Sequence, residues 1–135
     1  MDLDRALSIS AAGMSAQSTR LRVVAENIAN RDSTGQSAGA DPYRRKTVTF
    51  GSRLDRSLGA ETVRVSQIGQ APGSFPERFE PSHPAADARG YVKTPNVDSM
   101  IENMDMREAN RSYSANLAVL ETTRGMLMRA IETLR

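Results

Sequence analysis

Residues 96–135 read NVDSMIENMDMREANRSYSANLAVLETTRGMLMRAIETLR, an uninterrupted run without proline. Tyr113, Leu117, Leu120, Leu127, Ile131 and Leu134 recur alternately three and four residues apart once Arg124 is counted into the series. That is the stripe of a helix packing along another helix. A second line, Ala109, Asn116, Thr123 and Ala130, carries small or short side chains every seven positions. There a neighbouring backbone can come close. Ser99 and Glu102 have the spacing of a capping box, and Pro95-Asn96 offers an alternative start. Asp98, Glu102, Asp105 and Glu108 near the start, with Arg124, Arg129 and Arg135 near the end, run with the helix dipole.

Working outward, residues 1–30 hold the matching element. Leu3, Leu7, Ser10, Met14, Gln17, Leu21, Val24 and Ile28 alternate four and three apart, with Asp2 placed as N-cap. From Ala6 to Ser18 small residues crowd the segment, and serine and glycine are poor helix formers in isolation. This helix therefore depends on packing more than on propensity. At ~1.5 Å per residue the two helices would run roughly 40 and 50 Å, longer than the ~30 Å of a small domain. They are expected to pair antiparallel, and a pair that long needs further partners to cover its apolar faces.

Between them lie all six prolines and seven of the nine glycines. Thr47-Val48-Thr49-Phe50 and Thr62-Val63-Arg64-Val65 alternate like short strands and predict a hairpin across Gly51–Gly59. Residues 69–95 read as an extended, proline-rich path anchored by Phe75, Phe79, Tyr91 and Val92 and laid on another surface. The expected class is mainly α with a small β or irregular insert: residues 1–30 and 96–135 form one coiled-coil-like helical domain, and 31–95 the insert.

Chemistry is mostly excluded. The chain has 135 residues, no cysteine and a formal charge of +2, so disulfides, thiolate metal sites and a cysteine nucleophile are absent. The middle is only mildly basic, ten Lys/Arg against seven Asp/Glu over residues 31–96, without aromatic–basic interleaving; nucleic acid is not an expected partner. No phosphate-cradling glycine motif occurs, and the single histidine, His83, is held between Pro81 and Pro84 without a nucleophile to serve. The paired acids Asp105 and Glu108 read as a solvated helix face, and Met100, Met104 and Met106 as packing. No cofactor, metal or small-molecule substrate is expected, and no enzyme. The acidic start lacks the basic and apolar regions of a cleavable signal peptide, and no stretch is long and apolar enough to span a membrane. Composition and spacing leave two readings open, an assembly subunit and a free-standing helical adaptor.

Specific residues go further. Ala11-Ala12-Gly13-Met14-Ser15-Ala16-Gln17 followed by Ala25-Glu26-Asn27-Ile28-Ala29-Asn30 resembles the N-terminal motif of the bacterial flagellar rod and hook axial family. Pro42-Tyr43-Arg44-Arg45-Lys46, His83-Pro84-Ala85-Ala86-Asp87, Gly90-Tyr91-Val92, Thr94-Pro95-Asn96 and Met106–Asn116 are similar to its proximal-rod subunits. Ala85 departs from the pattern, which has an acid there. The resemblance implies a building block of the basal-body rod in the periplasm, exported through the flagellar type III apparatus without signal cleavage. Its partners would be other copies, other rod subunits, the rotor-side ring and the distal rod. Leu3, Leu7, Met14, Leu21, Val24 and Ile28 are expected to pack with Tyr113, Leu117, Leu120, Leu127, Ile131 and Leu134. Pro42, Tyr43, Arg44, Arg45, Lys46, His83, Tyr91, Val92 and Asn96 are expected at lateral contacts between subunits.

Overall fold

The computed structural model describes residues 2–134. Its elements are, in chain order, α1 (Asp2–Ala29), β1 (Lys46–Asp55), β2 (Ala60–Gln70), β3 (Glu77–Phe79), β4 (Tyr91–Lys93) and α2 (Ser99–Thr133). Two long helices thus bracket a small strand region, the mainly helical class that the sequence predicts. Met1 and Arg135, which the sequence reading includes in the helices, lie outside the described residues.

The helix ends are set by local chemistry. Asp2, expected as a cap, is itself helical. α1 stops where Asn30 returns both its backbone N–H (3.1 Å) and its side-chain Nδ2 (2.9 Å) to the carbonyl of Glu26. α2 starts three residues later than Asn96. Its cap is Asp98, whose Oδ1 accepts the amides of Met100 (2.8 Å) and Ile101 (3.4 Å). No capping box forms, because Glu102 is fully buried instead of reaching back to Ser99.

The buried faces are made of small and polar residues. On α1 these are Ser10, Gly13, Ala16, Val23, Val24 and Asn27; on α2 they are Glu102, Ala109 and Thr123. Glu102 thereby extends the Ala109–Asn116–Thr123 heptad line by one repeat. Where that line meets α1, a Cβ on Gly13 would stand only 2.8 Å from Asn116 Nδ2. Asn116 Nδ2 also donates to the Ser112 carbonyl at 3.0 Å, so this polar side chain is satisfied by its own helix. Of the apolar stripe on α2, Tyr113, Leu120 and Leu127 are half-buried, whereas Leu117, Ile131 and Leu134 are exposed. Leu3, Leu7, Met14, Leu21 and Ile28 on α1 are half-buried and Val24 is buried.

The hairpin of β1 and β2 is longer than its sequence signal. Gly51 continues β1, and the turn is confined to residues 56–59, with Gly59 at φ 59°. Asp55 Oδ1 organises that turn by accepting Ser57 Oγ (2.6 Å) and N (2.9 Å). The second strand pair was not anticipated: within the extended 69–95 path, β3 and β4 pair antiparallel, Arg78 opposite Val92. Val92 is fully buried there, while Phe79 and Tyr91 meet edge-on at 5.3 Å on the exposed side. Gly90, at φ 84°, lets the Phe79 ring close over the turn, since a Cβ there would lie 2.9 Å from Cε2.

The described residues fall into two compact units, one of residues 2–21, 48–67 and 106–134, the other of residues 22–47 and 68–105. In the first, Gly13→Leu is expected to destabilise by about 1–3 kcal/mol through overpacking against Asn116. Gly125→Ala, whose Cβ meets nothing within 4 Å, should instead gain up to about 1 kcal/mol of helix propensity. Thermal unfolding of the purified chain followed by circular dichroism checks both signs.

Candidate functional site

The densest polar constellation lies in the second unit, where α1 ends, β1 begins and α2 begins. Asn27 is its centre and is 1% exposed. Its Oδ1 accepts the Tyr43 hydroxyl (2.8 Å) and the Lys46 amide (2.9 Å). Its Nδ2 donates to the Lys46 carbonyl (2.9 Å) and to Glu102 Oε2 (3.2 Å). Two donors and two acceptor positions are therefore all used. Toward Lys46 the side-chain amide behaves as a backbone does in a sheet, holding the first residue of β1.

Glu102 is 0% exposed, and a buried carboxylate survives only with partners. Arg45 supplies the counter-charge: its Nε donates to Glu102 Oε1, and its Nη2 to Asp105 Oδ2 at 3.2 Å. Asp105 lies three residues along α2 from Glu102, so one guanidinium spans both acids. The backbone of Arg45 is fixed as well, its amide donating to Asn96 Oδ1 (2.8 Å) and its carbonyl accepting Ala71 N (2.8 Å). Burial, and behind it the negative charges of Glu26 and Glu102, raises the Tyr43 phenol above its usual value against the opposing charge of Lys46. It stays a neutral donor to Asn27. At the rim, Lys46 Nζ meets Glu26 Oε2 at 2.8 Å; that contact lowers the Glu26 carboxyl and raises the Lys46 amine from their ordinary values.

Most of the residues expected at lateral contacts also make contacts within the chain. Pro42 is buried; Tyr43, Arg45, Lys46 and Asn96 belong to the cluster just described. Arg44 Nη1 donates to the carbonyls of Ala71 and Gly73, both at 2.9 Å, and its guanidinium covers the Phe75 ring at 4.2 Å. His83 Nδ1 accepts the Ala85 amide (3.0 Å), and its Nε2 approaches Thr34 Oγ1 (3.4 Å). Ala85 is 2% exposed, its carbonyl accepting the Gly39 amide. Val92 is buried, and Tyr91 stands at the surface.

Asn27 and Glu102 each lie in a sequence motif, but nothing local in either motif shows that they meet, seventy-five positions apart. The available signal was the heptad line through Ala109, Asn116 and Thr123, which steps back onto Glu102. Among the described residues no group of acids and histidine is arranged to hold a metal ion, and no helix is long and apolar enough to cross a membrane. The arrangement is a clasp of satisfied polar groups rather than a set of groups facing a substrate.

Comparisons with known proteins match both ends of the chain. Residues 7–35 match the family model described as flagella basal body rod protein, and residues 88–133 that described as flagellar basal body rod FlgEFG protein C-terminal. A flagellar basal-body rod protein FlgC of Agrobacterium fabrum is 54% identical over 98% of this chain and 96% of its own length. The FlgC proteins of Salmonella typhimurium and Bacillus subtilis are 40% and 37% identical, over 97% and 93% of this chain and 97% and 94% of their own lengths.

Replacing Arg45 with Ala strands the Glu102 carboxylate and should cost about 3–5 kcal/mol, more than Glu102→Gln, which keeps the shape and an acceptor. Equal losses in urea unfolding for the two variants would contradict the clasp. A pH effect belongs to the β3–β4 turn. There Asp87 accepts the Tyr91 amide (3.0 Å) and meets Arg89, contacts that hold its carboxyl below the usual range. A depressed folded value means the contribution is present above the ordinary Asp range near ~3.9 and is lost as pH falls through the lower folded value. The Tyr91 amide resonance should titrate with a midpoint below ~3.9, and this transition should vanish in Asp87→Asn.

Proposed function

The chain belongs to the FlgC family of flagellar basal-body rod proteins, and on that premise we propose how its fold serves a rod. It is a structural subunit of that rod and not an enzyme, and it associates with other rod components. We take it to be a proximal-rod subunit that polymerises by helix packing into the shaft transmitting torque from rotor to hook. The observation that carries this reading is the unequal use of α2: Ala109 and Thr123 of its small-residue line are buried within the chain, while several of its larger apolar residues are exposed. Leu117, Val119, Met126, Met128 and Ile131 are 36–55% exposed, a face that suits burial by neighbouring copies.

The finer pairing follows the same logic. Asn27 bonds Glu102, and four positions on, Arg31 Nη1 reaches Ser99 Oγ (3.4 Å), three positions back. These two contacts support opposite directions for the end of α1 and the start of α2. In the first unit the line of Ala109, Asn116 and Thr123, with Gly13 against Asn116, supports a coiled-coil-like pair. Contacts between copies that repeat by a non-closing helical operator would then build a tube. Leu3, Leu7, Met14 and Leu21 with Tyr113, Leu120 and Leu127 are the proposed intra-pair seam of the first unit. Leu117, Ile131 and Leu134 are proposed for contacts between copies. Lateral contacts through the 42–46 and 83–97 segments would use what the chain leaves outside, chiefly Tyr91 and the rims of the clasp. Small residues and weak propensity in α1 suit a chain exported unfolded by the flagellar type III apparatus into the periplasm and folded against its neighbours.

Two measurements test this. In basal bodies washed with detergent and high salt, mass spectrometry should find the chain retained; loss from intact basal bodies would favour the free-standing adaptor. Leu117→Asp and Ile131→Asp, at exposed positions, should leave the chain exported yet block rod completion and swimming, because an unpaired charge in the assembled wall costs several kcal/mol. Full motility in both would remove the outer face of α2 from the assembly.

A further inference from the structure

The ribbon of β1 and β2 is unfinished as a piece of protein. Its strands span 10 and 11 residues, none of them buried, in a two-stranded sheet. Residues 48–67 share a compact unit with parts of α1 and α2, but no third strand pairs with the outer edges of the ribbon among the described residues. Leu54, Val63 and Ile68 are 57%, 37% and 44% exposed along it. At its turn lies an open cleft of about 700 Å³ lined by Arg53, Leu54, Asp55, Arg56, Ser57, Thr62 and Arg64. All three arginines are exposed, and Arg56 and Arg64 form no ion pair among the described residues. The single acid of the lining, Asp55, is committed to the turn through Ser57 and, at 3.4 Å, the Leu58 amide.

We propose that this turn is a docking site for an extended, acidic segment of a protein partner, whose carboxylates the three arginines receive while its backbone pairs with a free edge of the ribbon. Guanidinium forks match carboxylates in bidentate geometry. Strand addition supplies the backbone bonds that a two-stranded sheet lacks, and Leu54 offers a contact for an apolar residue set between the acids. Single-stranded nucleic acid fits poorly, because the lining holds no aromatic ring on which a base could stack. The site shares no residue with the clasp or with the exposed residues of α2, and it does not depend on the rod reading.

The test uses the purified full chain and a fluorescent peptide of alternating glutamate and leucine, followed by polarisation. Comparison probes are the same peptide with glutamine for glutamate and a short oligothymidylate. Binding of the acidic peptide, weakened on the order of tenfold or more in the Arg53→Ser, Arg56→Ser, Arg64→Ser triple variant, is expected. The corresponding triple Lys variant, which keeps the charge and loses the fork, should fall between. It also guards against misfolding of the Ser variant, with circular dichroism as control. Unchanged affinity in the Ser variant, no acidic-peptide binding by the parent chain, equal affinity for the glutamine peptide, or oligothymidylate bound as tightly as the acidic peptide would each overturn the proposal.

Discussion

The hydrogen bond from Asn27 to the buried carboxylate of Glu102 is the constraint on which the second unit depends. A carboxylate removed from water must find partners, and meeting that demand fixes several segments at once. Asn27 brings the end of α1, Arg45 the residue before β1, and Asn96 the approach to α2. Once Arg45 is committed to Glu102 and Asp105, its backbone is fixed between Asn96 and Ala71, which sets where the ribbon leaves and returns. Tyr43 and Lys46 complete the amide's bonding. Removing any one partner leaves another orphaned, so the cluster behaves as a single piece.

Such a device matters here because several large apolar side chains of α2 stand exposed. A free-standing domain would turn Leu117, Met126 and Ile131 inward and bury them. Here the helices instead turn Ala109, Asn116, Thr123 and Gly13 inward. Small residues permit a close approach but bury little apolar area, so less of the stability can come from the hydrophobic effect. Satisfied polar contacts then carry more of the specificity. Asn116 and Thr122 show the accompanying economy, bonding back to their own helix at Ser112 and Ala118.

The β3–β4 segment follows a similar rule at smaller scale. Within its two strands only Val92 is buried, and order comes from Asp87, which gathers the Arg89 and Tyr91 amides, and from Gly90, which admits the Phe79 ring. His83 and Ala85 tie this turn to the loop at Thr34 and Gly39. Polar turn chemistry takes the place of a core that so short a pair of strands cannot form.

The sequence by itself determined the two helices, the proline-rich interval between them and the first hairpin. These depend on periodicity, breakers and residue types that act locally. It also carried the motifs that mark a rod protein, and the small-residue heptad on α2. Tertiary structure alone decided that Glu102 leaves its capping position for the interior, that Asp98 takes the cap, and that the 42–46 motif bonds within the chain. It alone decided that β3 pairs with β4. The reason is that each depends on groups distant in sequence coming within hydrogen-bonding reach, as Asn27 and Glu102 do. No local preference distinguishes a glutamate that caps its own helix from one that another helix buries.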